Sequence, residues 1–152
     1  MILVINVNPT MQNTLIFDNA LSLGNVNRTS KSFYQPSGKG INVCYNLSAL
    51  KKKSVLLSQS GGIFHKTFVK NLKEHFLFDY VLDKDFEIRT CTTLISYNEK
   101  EKPLVTEVVE EGNPVNPQTE KKIRQRILKY SKRKDIESCI ITGSKFSSRL
   151  YL

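Results

Sequence analysis

The residues Ser37-Gly38-Lys39-Gly40-Ile41-Asn42-Val43 form the densest grouping of residue types in this chain suited to gripping a polar ligand. Gly38 and Gly40 let backbone amides approach a bound group with no Cβ in the way. Lys39 brings a positive charge, and Asn42 places two donors and an acceptor on the first turn of the helix predicted to follow. A helix amino terminus itself favours negative charge. With Pro36 just before it, the stretch reads as a loop that wraps a polar ligand. Ordinary turn chemistry is the commoner reason for two glycines ahead of a helix, because short motifs match by chance. Neither standard nucleotide loop is present. No glycine stands five residues before Gly38-Lys39, and Val43 takes the place of the third glycine of a dinucleotide fingerprint.

Other familiar chemistries are poorly supplied. Cys44, Cys91 and Cys139 are isolated in apolar or strand-like surroundings, which argues for reduced packing residues rather than a disulfide framework or zinc cage. His65 and His75 lie ten apart with no cysteine and carboxylate set at ligand spacing, so no metal site is expected.

The elements that must position these residues follow from hydrophobic period. Residues 2 to 7 are a β-branched apolar run ending at Asn8-Pro9, as a buried strand entering a turn would. Thr14 to Phe17 and Asn27 to Tyr34 read as strands exposed on one face, able to cover a site. From Ile41 to Leu50, Val43, Leu47 and Leu50 share a helical face, and Val55 to Ser58 then reads as a strand leading to Gly61-Gly62. Phe64, Phe68, Leu72 and Phe76 make a second helical stripe, of the kind that faces a core. Tyr80 to Leu82 is a short strand, and Thr90 to Tyr97 with Leu104 to Val109 read as a strand pair. Asn116-Pro117 starts a basic helix that runs to about Tyr130, with Asn as cap and Pro at the first helical position. Cys139 to Thr142 is a further buried strand. Strands alternating with helices over the whole length predict an α/β layer fold with a mostly parallel sheet, the two polar strand groups lying outside it.

Composition bounds the function. A chain of 152 residues with 39% apolar content can bury a core as one domain. No run of 18 apolar residues and no signal-peptide pattern occurs, so neither a membrane span nor secretion is expected, and the cytoplasm is the expected location. The net charge of +9, from 23 Lys and Arg against 14 Asp and Glu, favours anionic partners, either nucleic acid or phosphorylated metabolites. Much of it surrounds Ile123, Ile127 and Tyr130 on the basic helix. A solvated helix face is the expected reading there, and nucleic-acid binding is disfavoured, because no aromatic platform or known binding motif accompanies the charge.

Several landmarks recur in one order: Asn8-Pro9, Val26-Asn27-Arg28, the Pro36 to Val43 stretch, Gly61-Gly62, Arg89-Thr90, Thr106-Glu107 with Gly112, and Thr142-Gly143-Ser144. In these the chain resembles the ribokinase-like sugar kinases of the phosphofructokinase-B family, in the branch of 1-phosphofructokinase and tagatose-6-phosphate kinase. The resemblance implies a ribokinase-like three-layer fold with a small β lid, of which these 152 residues form the amino-terminal half. Its lid strands are expected near residues 13–17, 26–35 and 90–109. The resemblance also implies that Gly38, Lys39, Gly40 and Asn42 hold sugar hydroxyls. Arg89 and Ser144 match positions that contact the phosphate already on the substrate, which suits a planar guanidinium fork and a hydroxyl donor.

Some positions depart from the pattern. Gln12 stands where the family has an aspartate that accepts from sugar hydroxyls, and it accepts without charge. Ser37 and His65 replace glycines, and Ser37 would be strained if its place required positive φ. The glycine-rich anion hole with its catalytic aspartate, the nucleotide pocket and the magnesium-linked Asn and Glu lie in the family's carboxy-terminal half. No cofactor is therefore expected in this chain, and ATP and magnesium only in a complete family member. The expected function is the substrate-binding and lid half of an ATP-dependent sugar-phosphate kinase, inactive alone, with a phosphorylated ketohexose as ligand. The alternative is a non-catalytic sugar-phosphate binder or regulator. Expected protein partners are a second copy through the lid strands or a separate carboxy-terminal half.

Overall fold

A computed structural model of the chain describes residues 1–98 and 102–143. The elements in chain order are β1 (Ile2–Asn6), β2 (Thr10–Ile16), β3 (Lys31–Ser37), α1 (Lys39–Ala49), β4 (Ser54–Ser60), α2 (His65–His75), β5 (Leu77–Leu82), β6 (Arg89–Tyr97), β7 (Pro103–Val109), α3 (Pro117–Ser131) and β8 (Ser138–Thr142). The strands sort into two sheets. One is wholly parallel in the order β5-β4-β1-β8. The other has the order β3-β2-β6-β7, with β2 parallel to β6 and antiparallel pairs at both ends.

The parallel sheet is buried on both faces at its centre, which is why β1 and β4 read as continuous apolar runs rather than alternating ones. Leu3, Ile5, Val55, Leu57 and Val81 face α3, where Ile123 is fully buried and Ile127 and Tyr130 pack beside it. Val4 and Leu56 face the other way, onto Ile41 and Cys44 of α1 and Phe68 and Leu72 of α2. The result is helix, sheet and helix in three layers. Of the three cysteines, Cys44 and Cys91 are buried and Cys139 is exposed.

The second sheet is built from the strands expected to lie outside the layers, with shifted bounds. β2 begins at Thr10 rather than Thr14, because its first two residues, Thr10 and Met11, are buried, Met11 in the core beneath α1 and α2. β3 starts at Lys31, and residues 27–30 precede it; Thr29 and Ser30 instead bond back to the carbonyl of Ile16 through their side chains. β5 begins at Leu77 rather than Tyr80, since pairing with β4 extends from Val55 to Ser60.

The stretch 36–43 is not a loop. Pro36 and Ser37 end β3, Gly38 alone makes the connection, and α1 is under way by Lys39. Positive φ falls on Gly38, at 138°, and Lys51 is the one non-glycine residue with positive φ among the described residues. Ser37 therefore carries no such strain, because the extended conformation of a strand end suits any residue. No helix among the described residues is long and apolar enough to cross a membrane.

Candidate functional site

Parallel α/β sheets bind ligands beyond the carboxyl ends of their strands, where loops and helix amino termini converge. Here that region holds Asn8 after β1, Gly143 after β8 and the start of α1. The second sheet closes over it. A cleft of about 290 Å³ results, lined by Lys39 and Asn42 from α1, Arg89 and Cys91 from β6, and Glu107 and Val109 from β7, with Thr10, Ser37, Gly38, Asn8 and Gly143 at its edges.

Arg89 is the first residue of β6, and its neighbours fix its backbone. Thr10 on β2 is its register partner and donates its hydroxyl to the Arg89 carbonyl at 3.0 Å. The guanidinium Nη1 donates to the Glu110 carbonyl at 2.8 Å. Its Nε is buried and has no hydrogen-bond partner. A buried charged donor left unpaired is costly. Across the cleft, α1 has no side-chain cap at Gly38 and no acidic residue in its first turn, so the positive end of its dipole is unopposed by its own helix. Lys39 adds a full charge there. The arrangement presents two cations and a helix amino terminus, with Glu107 the single carboxylate that lines the cleft among the described residues.

Gly38 and Gly40 serve different neighbours. Gly38 lines the cleft, whereas Gly40 is buried against β1 and donates its amide to Asn6 Oδ1 at 3.2 Å. A Cβ on Gly40 would stand 2.6 Å from Asn6 Cβ, so this glycine allows α1 to sit down on the sheet rather than approach a ligand. Gln12 pairs in register with Cys91, on the sheet face that carries Arg89 and Glu107, and its Nε2 donates to Thr93 Oγ1 at 2.7 Å. Ser144 lies outside the described residues; its neighbour Gly143 is at the cleft edge.

Of the residues singled out from sequence, the structure thus brings Gly38, Lys39, Asn42 and Arg89 around one cavity. It adds Asn8 and Glu107, which sequence marks only as landmarks, and Thr10, which no sequence signal marks. It also adds Asn6 beneath the start of α1, fully buried with its Nδ2 unpartnered next to Gly38. The signal for Asn6 was a polar side chain closing an otherwise apolar β1 run. Behind the sheet, burial raises the Tyr34 phenol, with a Thr90 hydrogen bond lowering it and the charge of Glu110 adding to the rise.

With that geometry in place, comparisons with known proteins are specific. A Haloferax volcanii 1-phosphofructokinase is 32% identical over 96 residues, a match spanning 63% of this chain and 32% of that protein. A solved Thermotoga maritima protein described as a possible 1-phosphofructokinase superposes with a TM-score of 0.76 and 26% identity, over 95% of this chain and 45% of its own. Escherichia coli phosphofructokinase-2, solved with substrates and products, superposes at 0.77 with 17% identity, over 93% of this chain and 44% of its own, a likeness of fold alone. No family model matches the chain. The chain spans less than half the length of these proteins.

Proposed function

We propose that this chain, whose fold is similar to that of phosphofructokinase-like, ribokinase-like kinases over about 45% of their length, forms the substrate-binding and lid half of an ATP-dependent sugar-phosphate kinase. Its ligand in this reading is a phosphorylated ketohexose, of the kind used by 1-phosphofructokinase or tagatose-6-phosphate kinase. The observation that carries the proposal is Arg89, whose side chain lines a cleft together with Lys39 and the open start of α1. The phosphate of the ligand would take the Arg89 donors, since charge-assisted hydrogen bonds to phosphate are the strongest available there. Lys39 and Asn42 would hold hydroxyls, and Glu107 would accept from one. The second sheet acts as the lid.

ATP and magnesium belong to the complete kinase. In this reading the phosphoryl-transfer step belongs to the complete kinase, and the described cleft residues of this chain serve to bind and orient the sugar phosphate. A non-catalytic sugar-phosphate binder would use the same cleft, and the two readings part only when a carboxy-terminal half is present.

Calorimetry with fructose 1-phosphate and with tagatose 6-phosphate tests the cleft. Saturable binding is expected for one of them, weakened about 10- to 100-fold in Arg89→Ala, the equivalent of about 1.5–3 kcal/mol for a hydrogen bond to a charged group. Arg89→Lys should recover part of it. Absence of binding to either sugar phosphate, or binding indifferent to Arg89→Ala, overturns the proposal. ADP release on mixing with a separately expressed carboxy-terminal half would separate the kinase reading from the binder.

A further inference from the structure

Two strands away from β1, β5 is an edge of the parallel sheet, paired only with β4 among the described strands. An edge strand presents a row of unpaired backbone donors and acceptors, which natural proteins usually cover or blunt. Here a groove of about 820 Å³ runs along the strand from Phe78 to Leu82. Its floor is partly apolar, with Phe78 stacked on Tyr80 and Leu82 about half exposed. Its walls are cationic. Lys73 of α2 stands over the Tyr80 ring on one side, and Lys122, Arg126 and Lys129 of α3 stand on the other. The sole acid in the groove, Asp79, is already engaged by Arg126 and the Tyr130 hydroxyl.

We propose that this edge is a docking site for an extended acidic polypeptide segment, which adds a strand beside Phe78–Leu82 with its carboxylates against the α3 lysines. Three features fit one occupant. The free strand edge supplies main-chain hydrogen bonds, the source of affinity when a peptide joins a sheet. Lys122, Arg126 and Lys129 at i, i+4 and i+7 share one helix face, with rises of about 6 and 4.5 Å between them. Alternate side chains of an added strand repeat every ~6.6 Å on one face, so acidic residues on that face reach Lys122 and Lys129, about 10.5 Å apart along α3, while Arg126 stays with Asp79. The sign of the partner follows from charge. In a chain of net charge +9, lysines along an edge repel a second copy of the same strand while admitting an acidic one. Nucleic acid would satisfy the cations, but it would leave the strand edge and the apolar floor unused.

The probe is a labelled octapeptide of alternating Glu and Val, titrated into the full chain by fluorescence anisotropy at low salt. Saturable binding is expected, weakened at least about tenfold in Lys122→Glu/Lys129→Glu. Both lysines are exposed, and an unchanged circular dichroism spectrum would show that the variant is folded. N-methylation of one alternate set of peptide amides should abolish binding while the other set is tolerated, because an added strand turns only alternate N–H groups to its neighbour. Amide exchange in residues 78–82 should slow on binding. No binding overturns the proposal, as does equal affinity for the parent and both N-methylated peptides, which would mean charge alone. Tighter binding of a single-stranded oligonucleotide that displaces the peptide would mark a nucleic-acid surface instead.

Discussion

Single residues in this protein divide between those that could hold a ligand and those that let the layers close. Gly40 belongs to the second group despite its place in a ligand-like motif. Gly40→Ala should cost about 1–3 kcal/mol, because the new methyl meets Asn6 at its Cβ and its Cα and neither α1 nor β1 can withdraw freely. A lowered urea midpoint checks this, and unchanged stability would show that α1 is loosely seated. Cys44 makes a different prediction. Burial pushes its thiol up to about 11 from an ordinary 9.0, against a smaller opposing hydrogen bond with Ser54. The unfolded chain therefore loses this proton first. The contribution to stability is complete below about pH 9 and is lost as pH rises towards about 11. Tyr45 and Tyr130, both raised chiefly by burial, add in the same direction. Urea midpoints should fall across that window, and Cys44→Ala should flatten the fall. Arg89 alone joins both groups, with one bond spent on the Glu110 carbonyl and its buried Nε still unspent.

Among the elements, α3 shows most plainly how local signals and tertiary demands agree. Asn116 caps it through Oδ1, accepting from the Gln118 amide at 2.9 Å, and Pro117 follows at the first turn. Asn116→Ala should lower stability by about 0.5–2 kcal/mol, read as a shifted urea midpoint at constant m. The apolar stripe of α3 was legible because Ile123, Ile127 and Tyr130 repeat at helical spacing, and the structure buries that stripe on the sheet. The purpose of its charged face was not legible. Periodicity shows that Lys122, Arg126 and Lys129 share a side, yet only the position of β5 makes that side the wall of a groove. The strands were harder. β2, β3 and β5 took their bounds from partners distant in sequence, through ladders that no local pattern records.

For the molecule as a whole, the two sheets have unequal cover. Helices enclose the centre of the parallel sheet, whereas the second sheet leaves Phe33 and Val105 exposed on the face that carries Glu107, and Leu104 and Val108 exposed on the other, Val105 at 63%. In the proposed reading a second copy would cover the exposed apolar side chains on the Val105 face, so a concentration-dependent dimer is expected. Sedimentation velocity over a dilution series checks it, and Val105→Glu should shift the distribution towards monomer. A chain that sediments as monomer throughout would refute that association. At the other end of the parallel sheet, β8 pairs only with β1 among the described strands, and Ile141 on it is 42% exposed. This is the edge a separate carboxy-terminal half would extend in the kinase reading.

The sequence by itself determined the alternation of strands and helices, the two helix stripes, the capped start of α3 and the family resemblance. All of these are written in the spacing of neighbours or in short motifs. It also marked Gly38, Lys39, Asn42 and Arg89, the last only through the resemblance. Tertiary structure alone decided which of those residues meet. Gly40 was turned to the core, Gln12 was bonded to Thr93, and Glu107 and Thr10 were brought to the cleft from separate strands. The reason is physical: the face a strand residue presents depends on its register with partners up to some eighty positions away, and that register is fixed only when the buried residues of both sheets pack together.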